Sequence, residues 1–452
     1  MSAPRSESAA TAAARPPRLR PECAPLEALW RAEAVGALLA ERLPAFRDGA
    51  LRLSHVKRGA LRVSGDRLDA TYELAVFDPS QETDVARPEE RCALMRVPLT
   101  QGDAKLGVAL LFLSPEDPLL DACAALRPPV LRALARRAGL PEEAAAGARV
   151  TLLAHRFGSR VVWRCAFPDD GAGGAPRGPG GARALALKIR RREPAGRLVL
   201  APDARPAPAA IPLAFPVPPI EGAFLDASEW IAAPSLHETI ARGAAGRGAA
   251  RPRLHEVGAA VAGFHRAARL DPTAHDRLSP ERLPVRHFDG EVAQLATLAR
   301  TADRFFDGAA AAVRGPLSRL ADDALAARGP RGLPRRVLVH GDLHDKQILL
   351  GGGRAVFIDH DAIASGDPEL DLGNLSAHFI LRALQRGEST DAARGDGERL
   401  VEGYSATRAG LDGALLSLYR RASLLRLALL YLFRVGSAHL FSALLDEERC
   451  AS

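Results

Sequence analysis

Two short apolar runs, Ile348-Leu349-Leu350 and Ala355-Val356-Phe357-Ile358, are separated only by Gly351-Gly352-Gly353-Arg354. A connection that short can only return the chain antiparallel, so this stretch predicts a hairpin. The hairpin places Gln347, just before its first strand, and Asp359, just after its second, at one edge. A third apolar run, Val337-Leu338-Val339, leads into His340-Gly341-Asp342, five residues before Gln347. Asp342, Gln347 and Asp359 are therefore expected to meet at that edge. The segment 337–374 is the densest polar cluster in the 452 residues, and the rest of the chain must be arranged around it.

Such a trio suits phosphoryl transfer. One carboxylate accepts the proton of a hydroxyl, while the other and an amide oxygen hold Mg²⁺ against phosphates. The order of elements frames the trio. Residues 1–22, rich in Ala, Pro, Arg and Ser, read as a disordered tail. Residues 25–43 carry helical spacing, followed by strand-like runs such as LRLSHV, DATYELAVFD, RCALMRVPL and LGVALLFL. Residues 118–139 read as two helical pieces broken at Pro128-Pro129. A second set of strands follows, VTLLAHRFG, SRVVWRCAF and ALALKIR, with a Gly/Pro-rich loop between the last two and a proline-rich stretch after them. From Ser235, with Glu238 three residues on as a capping box, the chain is mainly helical. LHEVGAAVAGFHRAARL and GEVAQLATLARTADRFFDGAAAAV each read as one amphipathic helix.

Composition narrows the classes. Of 61 basic residues only four are lysine (Lys57, Lys105, Lys188 and Lys346), and the arginines are spread among acidic residues along the whole chain. A nucleic-acid arm would gather them on one stripe, so no nucleic-acid partner is expected. The most apolar stretch, SLLRLALLYLFRVGSAHLFSALL, is interrupted by Arg426 and Arg434, so a buried or amphipathic helix and no membrane association are expected. Five scattered cysteines without a CxxC pair, and a start without an apolar signal core, point to the cytoplasm.

HGDLHDKQILL, VFIDHD and GDPELDLGN together resemble the catalytic segment of the aminoglycoside phosphotransferase and choline-kinase-like family of small-molecule kinases. The family pattern H-G-D-x-H-x-x-N, then I-D-[FWY]-[DEG], is met here by His340, Gly341, Asp342, His344 and Gln347, then Ile358, Asp359, His360 and Asp361. Gln347 stands where the family usually has Asn, and His360 where it has an aromatic residue. The resemblance implies an α+β, bilobal protein-kinase-like fold, with a small antiparallel sheet lobe and a larger helical lobe. It would be preceded here by an extra α+β segment. The corresponding boundaries are 23–147 for that cap segment, 148–232 for the small lobe and 233–452 for the helical lobe. It further implies ATP and Mg²⁺ as cofactors and a small-molecule hydroxyl acceptor of the aminoglycoside, amino-alcohol or sugar class. Asp342 becomes the catalytic base, Asp359 with Gln347 the magnesium ligands, and Lys188 the phosphate-binding lysine. Glu229, Trp230 and Ile231 would be the hinge against adenine, with His340, His344 and Asp361 supporting the loop. A full glycine-rich phosphate loop and an acidic partner for Lys188 are missing, Glu193 being the nearest acid.

Each residue also has a plainer reading. Asp342 and Asp359 suit turns and helix caps, and Lys188 suits a solvated strand end. His340 and His344 read as structural rather than metal-binding, and Asp361 suits a turn as well as a metal. Two other functions stand beside the kinase: a nucleotide-binding pseudokinase or regulator, and a metal-dependent phosphohydrolase read from His340-x-Asp342-x-His344. ATP turnover discriminates the first, and the seven-residue gap between Gly366-Asp367 and Gly373-Asn374 counts against the second. The oligomeric state is open.

Overall fold

The computed structural model describes residues 17–21, 31–64, 67–77, 79, 89–98, 110–113, 128–156, 160–168, 184–191, 209–210, 214–215, 224–244, 254–267, 283–327, 336–351, 353–434 and 437–451. Helix α1 (Ala32–Arg42) precedes four antiparallel strands in consecutive order: β1 (Arg52–Ser64), β2 (Arg67–Phe77), β3 (Glu89–Pro98) and β4 (Leu110–Leu113). On β2 every second residue, Ala70, Tyr72, Leu74 and Val76, is buried. These join Val35 and Leu39 of α1 in the same apolar core as the C-terminal helices, so this segment leans on the helical lobe.

A second core lies under a second sheet. Helix α2 (Pro128–Arg137) opens on the Pro128-Pro129 pair, because proline fits the first helical turn, where no backbone N–H is needed. Strands β5 (Arg149–Arg156), β6 (Arg160–Ala166), β7 (Ala184–Arg190), β9 (Ala214–Phe215) and β10 (Phe224–Glu229) form an antiparallel sheet in the order β9-β10-β7-β6-β5. Period-two alternation sorts β7: Leu185, Leu187 and Ile189 are fully buried against Leu134 and Ala135 of α2, while Ala186, Lys188 and Arg190 take the other face. At about 1.5–3 kcal/mol per buried aliphatic side chain, those three residues fix the register of the strand.

The helical lobe begins at α3 (Leu236–Ala244). The expected capping box is present: Ser235 N–H donates to Glu238 Oε2 at 2.7 Å, and Glu238 N–H donates to Ser235 Oγ at 3.2 Å. It continues through α4 (Leu254–Ala267), α5 (Phe288–Asp303), α6 (Ala309–Ala327), α7 (Glu369–Arg386), α8 (Asp391–Thr407), α9 (Gly413–Leu432) and α10 (His439–Cys450). The short strands are β8 (Ala209–Ala210), β11 (Val285–Arg286), β12 (Val337–Val339), β13 (Ile348–Gly351), β14 (Arg354–Phe357) and β15 (Ala364–Gly366). β13 and β14 are the antiparallel hairpin expected from the sequence, with Ile348 opposite Phe357, and β8 runs parallel to β14. β12 pairs with β15 rather than with that hairpin. The α+β, bilobal architecture is therefore the one the sequence implied.

Three expectations are corrected. The helix read through 290–313 is two helices, α5 and α6. Phe305 and Phe306 are both buried, Gly308 takes a positive φ of 77°, and Asp303 Oδ1 accepts the N–H of Ala310 at 3.0 Å to start α6. Continuing one helix through here would need Gly308 to abandon its left-handed turn. Within the tail expected to be disordered, Arg18–Leu19 instead pairs antiparallel with Phe306–Asp307, and Arg20 Nε donates to Asp303 O at 2.7 Å. That backbone pairing, absent from any local pattern, orders residues 17–21. Residues 1–16, the Gly/Pro-rich loop at 169–183 and Glu193 lie outside the described residues.

α4 and α8 cross at backbone contact. A Cβ on Gly258 would overlap Leu400 O, and one on Gly403 would overlap His255 O. Because the obstacle on each side is main chain, Gly403→Ala is expected to lose about 1–3 kcal/mol, read as a lower midpoint in urea unfolding. An unchanged midpoint would mean that the two helices can slide apart freely. The apolar stretch read as one helix, 423–445, is instead two: it covers the end of α9, which stops at Leu432, and the start of α10 at His439. Arg421 on α9 is 4% exposed and matched by Glu448 at 3.0 Å and Asp323 at 2.6 Å. Among the described residues no helix is long and apolar enough to cross a membrane.

Candidate active site

A cleft of about 760 Å³ lies where the small sheet meets the β13–β14 hairpin and α3. That is within the size range of small-molecule and cofactor sites. The strand register builds its roof. On β7 and β10, Lys188 lies opposite Asp226, and on β7 and β6, Arg190 lies opposite Arg160, so all four share the cleft face. Asp359 and Asp361 face them from the end of β14. Lys188 Nζ lies 2.5 Å from Asp359 Oδ1 and 2.6 Å from Asp361 Oδ2. Arg160 Nη1 lies 3.2 Å from each of those carboxylates, and Arg190 bridges Asp361 and Asp226. Burial alone would raise the Asp359 carboxyl, but Lys188 and Arg160 beside it hold it well below the usual range. Burial and the neighbouring arginines lower the Lys188 ammonium, against the pull of Asp359 and Asp361. Asp359 also has φ 65° and ψ 57°, the sole positive φ outside glycine among the described residues. A non-glycine residue there costs about 1–3 kcal/mol, a strain found mostly at functional sites.

The loop from β12 is held from below. Asp371 on α7 is fully buried and accepts the N–H groups of His340 at 2.6 Å and Gly341 at 2.9 Å. His265 on α4 meets the same carboxylate at 3.1 Å and Tyr404 at 3.0 Å. Burial would raise the Asp371 carboxyl, but His265 and the backbone donors outweigh it and the direction is down. Gly341 has φ 80°, with Ala362 O where a Cβ would stand, so only glycine fits before Asp342. His340 Nε2 lies 2.9 Å from Ile358 O, which ties this loop to the residue before Asp359. Asp342 itself is left 47% exposed, with Arg426 Nη2 at 3.7 Å.

Residues 183–409, half of the chain, match the sequence model of the APH phosphotransferase enzyme family. The chain belongs to that phosphotransferase family. The match includes Lys188, Asp342 and Asp359, so the resemblance seen in the sequence holds, as does the expectation of a small-molecule kinase that phosphorylates a hydroxyl group. No curated protein matches the chain. Among solved structures, it resembles spectinomycin phosphotransferase in complex with ADP and spectinomycin at 13% identity and TM-score 0.43, over 72% of this chain and 97% of that one. It resembles choline kinase from Cryptosporidium parvum at 9% identity and TM-score 0.47, over 71% and 95%. A thermostable mutant of an aminoglycoside phosphotransferase matches at 16% identity and TM-score 0.45, over 72% and 99%.

Of the residues singled out in this phosphotransferase sequence, Lys188, Glu229, Trp230, Ile231, Asp359 and Asp361 line one cleft. Trp230 N–H donates to Ala184 O at 2.9 Å, which continues the sheet ladder into the segment expected to be the hinge. Gln347 is not among the lining side chains. It is 6% exposed, and its Oε1 accepts the His344 N–H at 3.3 Å, while His344 Nδ1 accepts the Lys346 N–H at 3.2 Å. His360, which also lines the cleft, stacks its ring on Phe264 with centroids 6.0 Å apart. Sequence reasoning missed Arg160, Arg190 and Asp226. The alternation of ALALKIR, which puts Arg190 on the face of Lys188, is the signal that would have found one of them. It also missed Asp345, fully buried and held by Arg382 Nε at 2.9 Å, Arg382 Nη2 at 3.1 Å and His237 Nδ1 at 2.8 Å.

The donor set fits a nucleotide and a divalent ion. Among the described residues no group of three or more His, Cys, Asp or Glu could hold a metal by itself. Two adjacent carboxylates under three cations suit Mg²⁺, which is usually bound by one or two carboxylates with phosphate oxygens completing the shell.

Proposed function

We propose that this chain moves the γ-phosphoryl group of MgATP to a hydroxyl of a small molecule. The observation that carries the reading is the convergence of Lys188, Arg160 and Arg190 on Asp359 and Asp361, in a cleft that ends at Glu229, Trp230 and Ile231. The three cations hold the phosphates, and backbone groups of the 229–231 segment bond adenine. Asp359 and Asp361 would hold Mg²⁺, which supplies charge neutralisation between the phosphates. Gln347 Oε1 has a second lone pair beyond the one used by His344, which keeps it in the reading as a further oxygen ligand.

Asp342 accepts the proton of the acceptor hydroxyl. The acceptor oxygen forms its bond to the γ-phosphorus as the bond to the β–γ bridging oxygen breaks, releasing ADP. His340, His344 and Asp371 act on Asp342 through the loop they fix. We place the small lobe at 148–232, the helical lobe at 233–452 and an additional cap segment at 23–147, of which 128–147 packs with the small lobe.

Lys188→Ala tests the cleft. MgATP is expected to raise the melting temperature of the wild-type protein and to leave that of the variant unchanged, with ADP release falling together with the shift. Equal shifts in both proteins would remove Lys188 from phosphate binding. A shift without ADP release against any acceptor would favour the pseudokinase reading, to which the buried capping role of Gln347 lends its support.

A further inference from the structure

A second cavity, of about 150 Å³, shares no lining residue with the interlobe cleft. Gly341, Glu291, Leu295, Asn374, Tyr419 and Arg426 are among its walls. Gly341 immediately precedes Asp342, and Arg426 Nη2 lies 3.7 Å from Asp342 Oδ1, so the cavity adjoins the carboxylate that takes the acceptor's proton. Its volume is about that of a cavity that takes one benzene ring.

Apart from Asp342 itself, the carboxylates around it are already committed. Glu291 Oε1 accepts Arg286 Nε at 2.9 Å and Nη2 at 2.6 Å. Asp367 Oδ2 accepts the Tyr419 hydroxyl at 2.7 Å. Glu369 is 3% exposed and accepts the Asp412 N–H at 2.8 Å, and burial pushes its carboxyl up to about 7. Arg426 is the contrary case. Its side chain is 27% exposed, and among the described residues its guanidinium makes one hydrogen bond, from Nη2 to Asn374 Oδ1 at 2.6 Å. Its 3.7 Å approach to Asp342 is an ion pair longer than a hydrogen bond, and it leaves the other guanidinium donors unused. A guanidinium with unused donors presents the planar fork that suits a carboxylate or a phosphate, and it repels a cation.

We propose that the acceptor is a small hydroxylated anion, whose carboxylate or phosphate is held by Arg426 while its hydroxyl faces Asp342. The proposal rests on the kinase reading above, and it selects within the expected acceptor classes against the cationic aminoglycosides and amino alcohols.

The test uses the full chain with Mg²⁺. Calorimetry with a non-hydrolysable ATP analogue present, and ADP release with ATP, are run against three sets of probes. Gluconate, glycerate and glucose 1-phosphate are anionic, glucose and glycerol are neutral, and choline and spectinomycin are cationic. At least one anion is expected to bind and to exceed its neutral counterpart by about tenfold or more in kcat/KM. Arg426→Gln is expected to remove that advantage mainly through KM, and Arg426→Lys to restore part of it. Three results overturn the proposal: no anion binds although the analogue does, a cationic probe is the best acceptor, or Arg426→Gln lowers kcat on every acceptor alike with KM unchanged. The last is the mark of an arginine that only positions Asp342. Failure of the ATP analogue itself to bind overturns the kinase reading underneath.

Discussion

Asp342→Asn is expected to lower kcat by about 10²–10⁴-fold while MgATP still raises the melting temperature as it does for the wild type, because a positioned general base contributes about that factor. The separation of the two effects follows from the geometry. Asp342 is not among the residues lining the interlobe cleft and, among the described contacts, makes none with Lys188, whereas Asp359 and Asp361 do. Asparagine keeps the shape and one oxygen but cannot take the proton. The loop does not depend on the lost charge either, since it is held by Asp371, Asn374 and Arg286 through the backbone of residues 340–343. Turnover within a few fold of wild type would remove Asp342 from its role. Loss of the MgATP shift together with turnover would place it in nucleotide binding instead.

Arg382→Ala is expected to be the most destabilising single change in the helical lobe. Asp345 has no exposed surface, and Arg382 approaches it with two nitrogens, at 2.9 and 3.1 Å. Removing the arginine leaves a buried carboxylate with His237 at 2.8 Å and the more distant His344 at 3.9 Å, and stranding one partner of such a pair costs about 3–5 kcal/mol. At roughly 2–4 °C per kcal/mol for a domain of this size, the melting temperature should fall by about 6–20 °C. The double variant Asp345→Leu/Arg382→Met, which removes both charges, should regain much of that loss. A loss below about 1 kcal/mol in Arg382→Ala would show that water reaches Asp345 and that the pair is a surface-like one. The pair also has a positional role. Asp345 sits in the turn between Asp342 and β13, Arg382 on α7 and His237 on α3, so three elements around the site share one carboxylate.

The sequence by itself determined the parts that depend on local chemistry. A four-residue Gly-rich connection allows only a hairpin, and that hairpin is there with Ile348 opposite Phe357. The Ser235–Glu238 capping box and the alternation that buries Leu185, Leu187 and Ile189 are likewise short-range rules obeyed in place. So is the motif that carries the family resemblance, His340 to Asp361, because its residues lie within about twenty positions of one another. What only the tertiary structure decided is everything that joins residues far apart in the chain. Arg160 and Arg190 reach Asp361 across separations of 201 and 171 residues. Asp371 meets His265 across 106, and Arg426 meets Asn374 across 52. Gln347 could be read as a ligand by type, yet its oxygen is engaged by His344 in a turn that no pattern of residue types specifies. Periodicity reports which face of an element is apolar, but a charged residue on the other face is indistinguishable from a solvated one until another lobe is packed over it. That is why Arg160 and Arg190 read as part of a charge spread along a chain with 61 basic residues, and Arg426 as an interruption of an apolar run, and became candidate site residues only when strands and helices brought a carboxylate or an amide oxygen to each.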